Sequence, residues 1–205
     1  MPESNFVSEA DFEKLLNSLP IQYDNAKLTL QDWKMFFKVM YGCALRVKET
    51  TRLKPEDFDL EHKILTLNET KTGWKKTKEG KVRKAQRTTI LPQDAIELKA
   101  YLASKLSNQL IWPITRQTVW HKFKAMCINS GLSYFWQKDD RAFKQGWPYL
   151  LRSSRAKIMV REHADFSLIQ LKMRHKGQSV TFRYTELDIH ALLAWEAEHY
   201  PLITA

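Results

Sequence analysis

Apolar residues recur at helical spacing from the start of the chain. Ser8-Glu9-Ala10-Asp11, followed by Phe12, Leu15 and Leu16, has the form of a capped helix that stops before Pro20. After a connector at 21–28, Thr29-Leu30-Gln31-Asp32 opens a stronger helix whose Trp33, Phe36, Phe37, Met40, Tyr41 and Ala44 share one stripe, which predicts core. Beyond Gly42 a short helix carries Ala44-Leu45-Arg46-Val47-Lys48-Glu49 and ends before Pro55. The period then changes to two at 63–69 (KILTLNE) and again at Thr89-Ile90-Leu91, around the very basic stretch KTGWKKTKEGKVRKAQR. This predicts a hairpin of two or three short strands with a charged tip, suited to touching a phosphate backbone.

Helical spacing returns at Asp94–Leu106 and at Thr115–Ser130, the latter opened by Thr115 and closed by Gly131. Its Arg116, Lys122 and Lys124 form a polar face opposite Val119, Trp120, Phe123, Met126 and Cys127; that face is either solvated or turned toward a nucleic-acid groove. Residues 132–147 have no clear period and read as a loop. Helices are expected at 148–163 and 166–174, with a short one around Tyr184. A terminal amphipathic helix follows through Ile189, Leu192, Leu193 and Tyr200, packing on its own domain or on a neighbour's. With no repeat or Pro/Gly/Ser linker, residues 1–205 predict one domain, mainly α with a small antiparallel β-sheet, an α+β fold.

Composition narrows the function. An aromatic content of 12% and a hydrophobic fraction of 43% exclude a disordered chain. Thirty-three Lys and Arg against 23 Asp and Glu give a net charge of +10, which favours a polyanionic partner. No stretch approaches the roughly 18 uncharged apolar residues of a membrane span, and MPESNFVSEADFEKLL lacks the build of a signal peptide. Nucleic acid is therefore the leading partner, with no membrane. Cys43 and Cys127 lie far apart within apolar patterns and read as reduced core residues of a cytosolic or nuclear protein. The six histidines show no HxH or HExxH spacing, so neither a metal nor a cofactor is expected.

The stretch from Pro148 to Thr185 holds the densest chemistry: Leu150-Leu151-Arg152, Met173-Arg174-His175, and Tyr184 nine positions after that histidine. Together with ALRVKE at 44–49 and TKTG at 70–73, this ordered series resembles the tyrosine recombinase (phage integrase) family over roughly residues 8–200. The family's first box, a Leu-Arg with an acid three positions on, is matched by Arg46 and Glu49. Its second, His-x-Leu-Arg, is matched by Leu151 and Arg152 but has Tyr149 where the histidine stands. A phenol with a pKa of about 10 is a poor general base, yet it donates a hydrogen bond to phosphate.

The resemblance implies a catalytic set of Arg46, Lys71, Tyr149, Arg152, His175 and Tyr184. The Tyr184 phenol would attack a DNA phosphorus, giving a 3′-phosphotyrosine and a free 5′-hydroxyl without metal or nucleotide. Arg46 and Arg152 would balance charge on the non-bridging oxygens, with His175 as a further donor and Glu49 as a buttress. Lys71 would protonate the leaving oxygen, although Lys75, Lys76, Lys78 and Lys81 share its hairpin and are alternatives. Arg155, Lys157, Arg174 and Arg183 are left as backbone contacts or solvated charge.

The family also implies double-stranded DNA as partner and a homo-tetramer assembled on it, a monomer or weak oligomer when free. The expected setting is cytoplasmic, at the nucleoid or other DNA, and inside the host cell if the gene is viral or plasmid-borne. Too little sequence precedes Arg46 for the family's usual N-terminal core-binding domain, so the chain is expected to be a fragment or a minimal member. Alternatives are a type IB topoisomerase-like activity and a DNA-binding protein with weakened catalysis.

Overall fold

The computed structural model describes residues 6–20, 28–68, 74–78, 80–83, 86–132, 148–174 and 189–199. Helix α1 (Glu9–Asn17) is opened by a capping box in which Ser8 and Asp11 satisfy each other's end groups. Thr29 and Asp32 do the same for α2 (Leu30–Gly42). The apolar stripe of α2 is buried, and Trp33, Phe36 and Phe37 pack ring against ring, with Trp112 edge-on to Phe36.

The end of α2 decides the geometry downstream. Ala44 adopts φ 48°, its N–H bonds to the Tyr41 carbonyl, and the Leu45 N–H reaches back to the Met40 carbonyl, the closure known as a Schellman motif. Glycine normally fills this left-handed position. The expected helix at 44–49 is therefore shorter: α3 spans Val47–Thr50 and Arg46 is its N-cap. Gly42 serves a different need, since a Cβ there would lie 2.7 Å from the Asp94 Oδ2.

After a 3-10 turn at Pro55–Asp57 come β1 (Phe58–Asp59), β2 (Ile64–Leu67), β3 (Trp74–Thr77), β4 (Gly80–Arg83) and β5 (Gln86–Thr89). β2 pairs antiparallel with both β1 and β5, with Leu65 opposite Phe58 and Thr88 respectively. β3 and β4 form a separate antiparallel pair. The sheet thus has the expected three short strands, and the basic stretch adds a two-stranded hairpin of its own.

Helices α4 (Pro92–Leu102) and α5 (Arg116–Asn129) follow, the first ending four residues short of the expected Leu106. Lys122, expected on a polar face of α5, is instead buried; its ammonium donates to the Pro20 carbonyl at 3.0 Å and lies over the Trp33 ring. Then come α6 (Tyr149–Arg161), α7 (Phe166–Met173) and α8 (Ile189–His199). The main core joins α1, α2, α4, α5 and the sheet; a smaller one joins Ala44, Met159, Leu168, Ile169, Met173 and Leu192. Leu192 packs α8 against its own chain. Both cysteines are buried free thiols, their pKa pushed up to about 12 by burial. Among the described residues no helix is long and apolar enough to cross a membrane.

Candidate active site

Three elements meet at the Glu49 carboxylate. As N3 of α3, Glu49 folds back on its own N-cap: Oε2 accepts the Arg46 backbone N–H at 2.8 Å, and Oε1 accepts the Arg46 Nη1 at 2.6 Å. From the end of α7, Arg174 Nη2 donates to Oε2 at 3.0 Å. Arg152, on α6, brings its Nη1 to 3.9 Å from the same oxygen. Arg46 and Arg152, 106 residues apart in sequence, therefore share one buried anion. Tyr149 lies one turn before Arg152 at the start of α6 and is half-buried.

The three arginines differ in exposure. The Arg46 side chain is 38% exposed and that of Arg152 is fully enclosed. Arg152 donates to the carbonyls of Ala44 and Met173, and Arg174 donates to those of Cys43 (3.1 Å), Ala44 (2.9 Å) and Lys172 (2.9 Å). Closing α2 through Ala44 turns its last carbonyls toward these cations, where the negative end of a helix favours them. Arg46 thus forms the solvent face of the cluster, with Arg152 and Arg174 behind it.

The electrostatics follow from that crowding. Burial pushes the Arg152 guanidinium down to about 9, helped by the Arg174 and Arg46 charges and opposed by Glu49. Burial lowers Arg174 as well, with Glu49 opposing. For Glu49, burial favours the neutral acid, but the Arg174 charge and the Arg46 N–H and charge outweigh it and hold the carboxyl below its usual range. A cleft of about 230 Å³ opens beside Glu49, walled by Arg52, Lys54, Asp57 and Asn68.

Of the six residues expected to carry the chemistry, Arg46, Tyr149 and Arg152 are brought together here; Lys71, His175 and Tyr184 lie outside the described residues, as do Arg183 and the short helix expected around Tyr184. Two expectations are corrected. Arg155 and Arg174, read as backbone contacts or solvated charge, are buried. Arg155 takes part in an ion cluster with Glu9 and Glu196, and Arg174 in the Glu49 cluster. The burial of Arg174 is not legible in the sequence, because a lone arginine after an apolar helix carries no mark of it; its left-handed φ of 51° is equally silent without a glycine. Lys157 is exposed, as expected.

Known proteins resemble this chain over most of its length. The tyrosine recombinase XerD of Yersinia pestis is 27% identical over 202 residues, covering 95% of this chain and 62% of the relative. XerD of Pseudomonas putida is 26% identical over 208 residues, covering 98% and 63%. The chain thus spans about three-fifths of the length of these curated relatives. Among solved structures, the integrase from mycobacterium phage Brujita superposes with a TM-score of 0.64 at 17% identity over all of this chain and 62% of that one. XerA recombinase gives 0.58 at 19% over 96% and 64%. At that identity the structures speak for the fold, and it is the family model, matching residues 5–190, that establishes that this chain belongs to the phage integrase family.

Proposed function

We propose that this chain is the catalytic unit of a site-specific DNA recombinase that cleaves and rejoins double-stranded DNA through a covalent 3′-phosphotyrosine at Tyr184. The observation that carries the reading is the meeting of Arg46 and Arg152 on the Glu49 carboxylate. Two planar guanidinium groups fixed around one point suit the non-bridging oxygens of a phosphodiester, whose charge grows in the transition state. Arg46 already faces solvent. Arg152 reaches a phosphate by exchanging one of its carbonyl partners for a phosphate oxygen.

The remaining roles are assigned on the family pattern: His175 and Tyr149 donate to the phosphate, and Lys71 gives a proton to the departing 5′-oxygen. The curated relatives are named tyrosine recombinases, and one structural neighbour, XerH, is described as a site-specific recombinase bound to its difH substrate before cleavage. By the same reading the protein acts on DNA within the cell and assembles there as a tetramer, associating weakly without it. The test is a suicide DNA site that traps the covalent product. The wild type is expected to give a denaturant-stable protein–DNA adduct that Tyr184→Phe abolishes; an undiminished adduct from that variant overturns the assignment.

A further inference from the structure

We propose that Arg174 is a positioning residue of this phosphate site: it neutralises Glu49 from behind, leaving Arg46 and Arg152 with their full charge for DNA. The proposal rests on the recombinase reading for its link to catalysis, and on geometry for the arrangement itself. Glu49 offers two oxygens. One is taken by the Arg46 side chain, while the other receives the Arg46 N–H at 2.8 Å and Arg174 Nη2 at 3.0 Å, with Arg152 at 3.9 Å.

Without Arg174, one carboxylate would stand against two guanidiniums and cancel half of the charge meant for the substrate. With it, the cluster of three cations and one anion keeps a surplus of two positive charges. Glu49 and Arg174 are buried and Arg152 is enclosed, so that surplus is weakly screened. Its natural counterpart is a phosphate whose negative charge increases during reaction.

Arg174 is also held firmly enough to act this way. Both terminal nitrogens are bonded, to Cys43, Lys172 and Ala44 carbonyls as well as to Glu49. It accepts a left-handed backbone, φ 51°, that a non-glycine residue adopts at a cost. By chain order it directly precedes His175.

The experiment compares Arg174→Met, which removes the charge but keeps bulk and backbone strain, with Arg174→Gly, which removes the side chain and relieves the strain, and Arg174→Lys, which restores a cation. Adduct formation on saturating suicide DNA is expected to slow by at least ~10-fold in the Met and Gly variants and to return to within about 3-fold of wild type in the Lys variant, with DNA affinity changed by less than about 3-fold. Rates within about 2-fold of wild type in both Met and Gly variants, a loss confined to affinity, or a Lys variant no better than Met would each overturn it. If Met fails to fold, Gly carries the comparison, because its backbone is the more relaxed.

A second readout needs no cleavage. Titration of the Glu49 carboxyl by carbon NMR is expected to show its pKa rising in the Met and Gly variants and falling back in Lys. An unmoved Glu49 overturns the arrangement. A wild type that forms no adduct while Glu49 shifts as expected would sink the link to recombination and with it this catalytic role.

Discussion

Asp94 shows how much a single buried group can set. It lies in the first turn of α4, where a carboxylate is normally favoured, yet burial pushes its carboxyl up to about 7 against the charges of Arg155 and Lys38. The folded state therefore holds a proton that the unfolded chain releases near pH 4. The resulting stabilisation is fully present below about pH 4 and is lost as pH rises through about 7, a difference of up to ~4 kcal/mol. Asp94→Asn keeps a neutral group of the same size beside Gly42. Denaturant melts from pH 4 to 8 are expected to show wild-type stability falling relative to the Asn variant; parallel curves would mean that Asp94 is ionised in the fold. Arg46 and Arg152 could be found in the sequence because their neighbours recur at fixed spacing. Asp94, Arg174 and Lys122 could not, since burial of a charged group depends on partners far along the chain.

The helices were readable because their ends are written locally. Ser8 with Asp11, Thr29 with Asp32, and Thr115 each accept backbone N–H groups where the sequence pattern begins. The closures that lack glycine were not readable: Ala44 and His163 both adopt a positive φ after a helix. Nor was the cluster that fastens α8. Glu196 pairs with Lys172 of α7, the Thr89 hydroxyl of β5 donates to Glu196 at 2.9 Å, and Lys172 donates to that hydroxyl at 2.7 Å. Arg155 of α6 lies 3.9 Å from the same carboxylate, so four elements close on one buried anion. Removing one partner strands the other charge without water, and Lys172→Met and Glu196→Leu are each expected to cost roughly 3–5 kcal/mol. The double variant should lose less than the sum, because the paired charges leave together and the Arg155 cation that stays keeps its Glu9 partner. Urea unfolding of the four proteins makes the comparison; additive losses would show that the pair is not coupled.

At the scale of the whole molecule, the surplus behind the net charge of +10 lies outside the core. Among the described residues the buried cations Lys122, Arg152, Arg155, Lys172 and Arg174 stand beside as many buried acidic groups, Asp32, Glu49, Asp57, Asp94 and Glu196, so long-range attraction to DNA falls mainly to other cations. The densest run is Lys71, Lys75, Lys76, Lys78, Lys81, Arg83, Lys84 and Arg87 against the single acid Glu79, in the stretch that includes the β3–β4 pair. Each lysine in it that meets a phosphate releases counterions on binding, so Lys75→Ala and Lys76→Ala should reduce the slope of log affinity against log salt by about 1 apiece. At saturating DNA the same variants should form adduct at the wild-type rate, because a phosphate contact that only binds is already satisfied. Lys71→Ala should do the reverse, slowing the adduct even when DNA is saturating. A substrate with sulfur in place of the 5′-bridging oxygen separates the two roles, since a thiolate departs without needing a proton. If Lys71 is the acid, that substrate restores cleavage in Lys71→Ala and has no such effect on Arg46→Ala, whose loss concerns the non-bridging oxygens. Restoration in Lys75→Ala, Lys76→Ala or Lys81→Ala instead would move the acid to that lysine, and equal salt slopes throughout would remove the hairpin from the DNA interface.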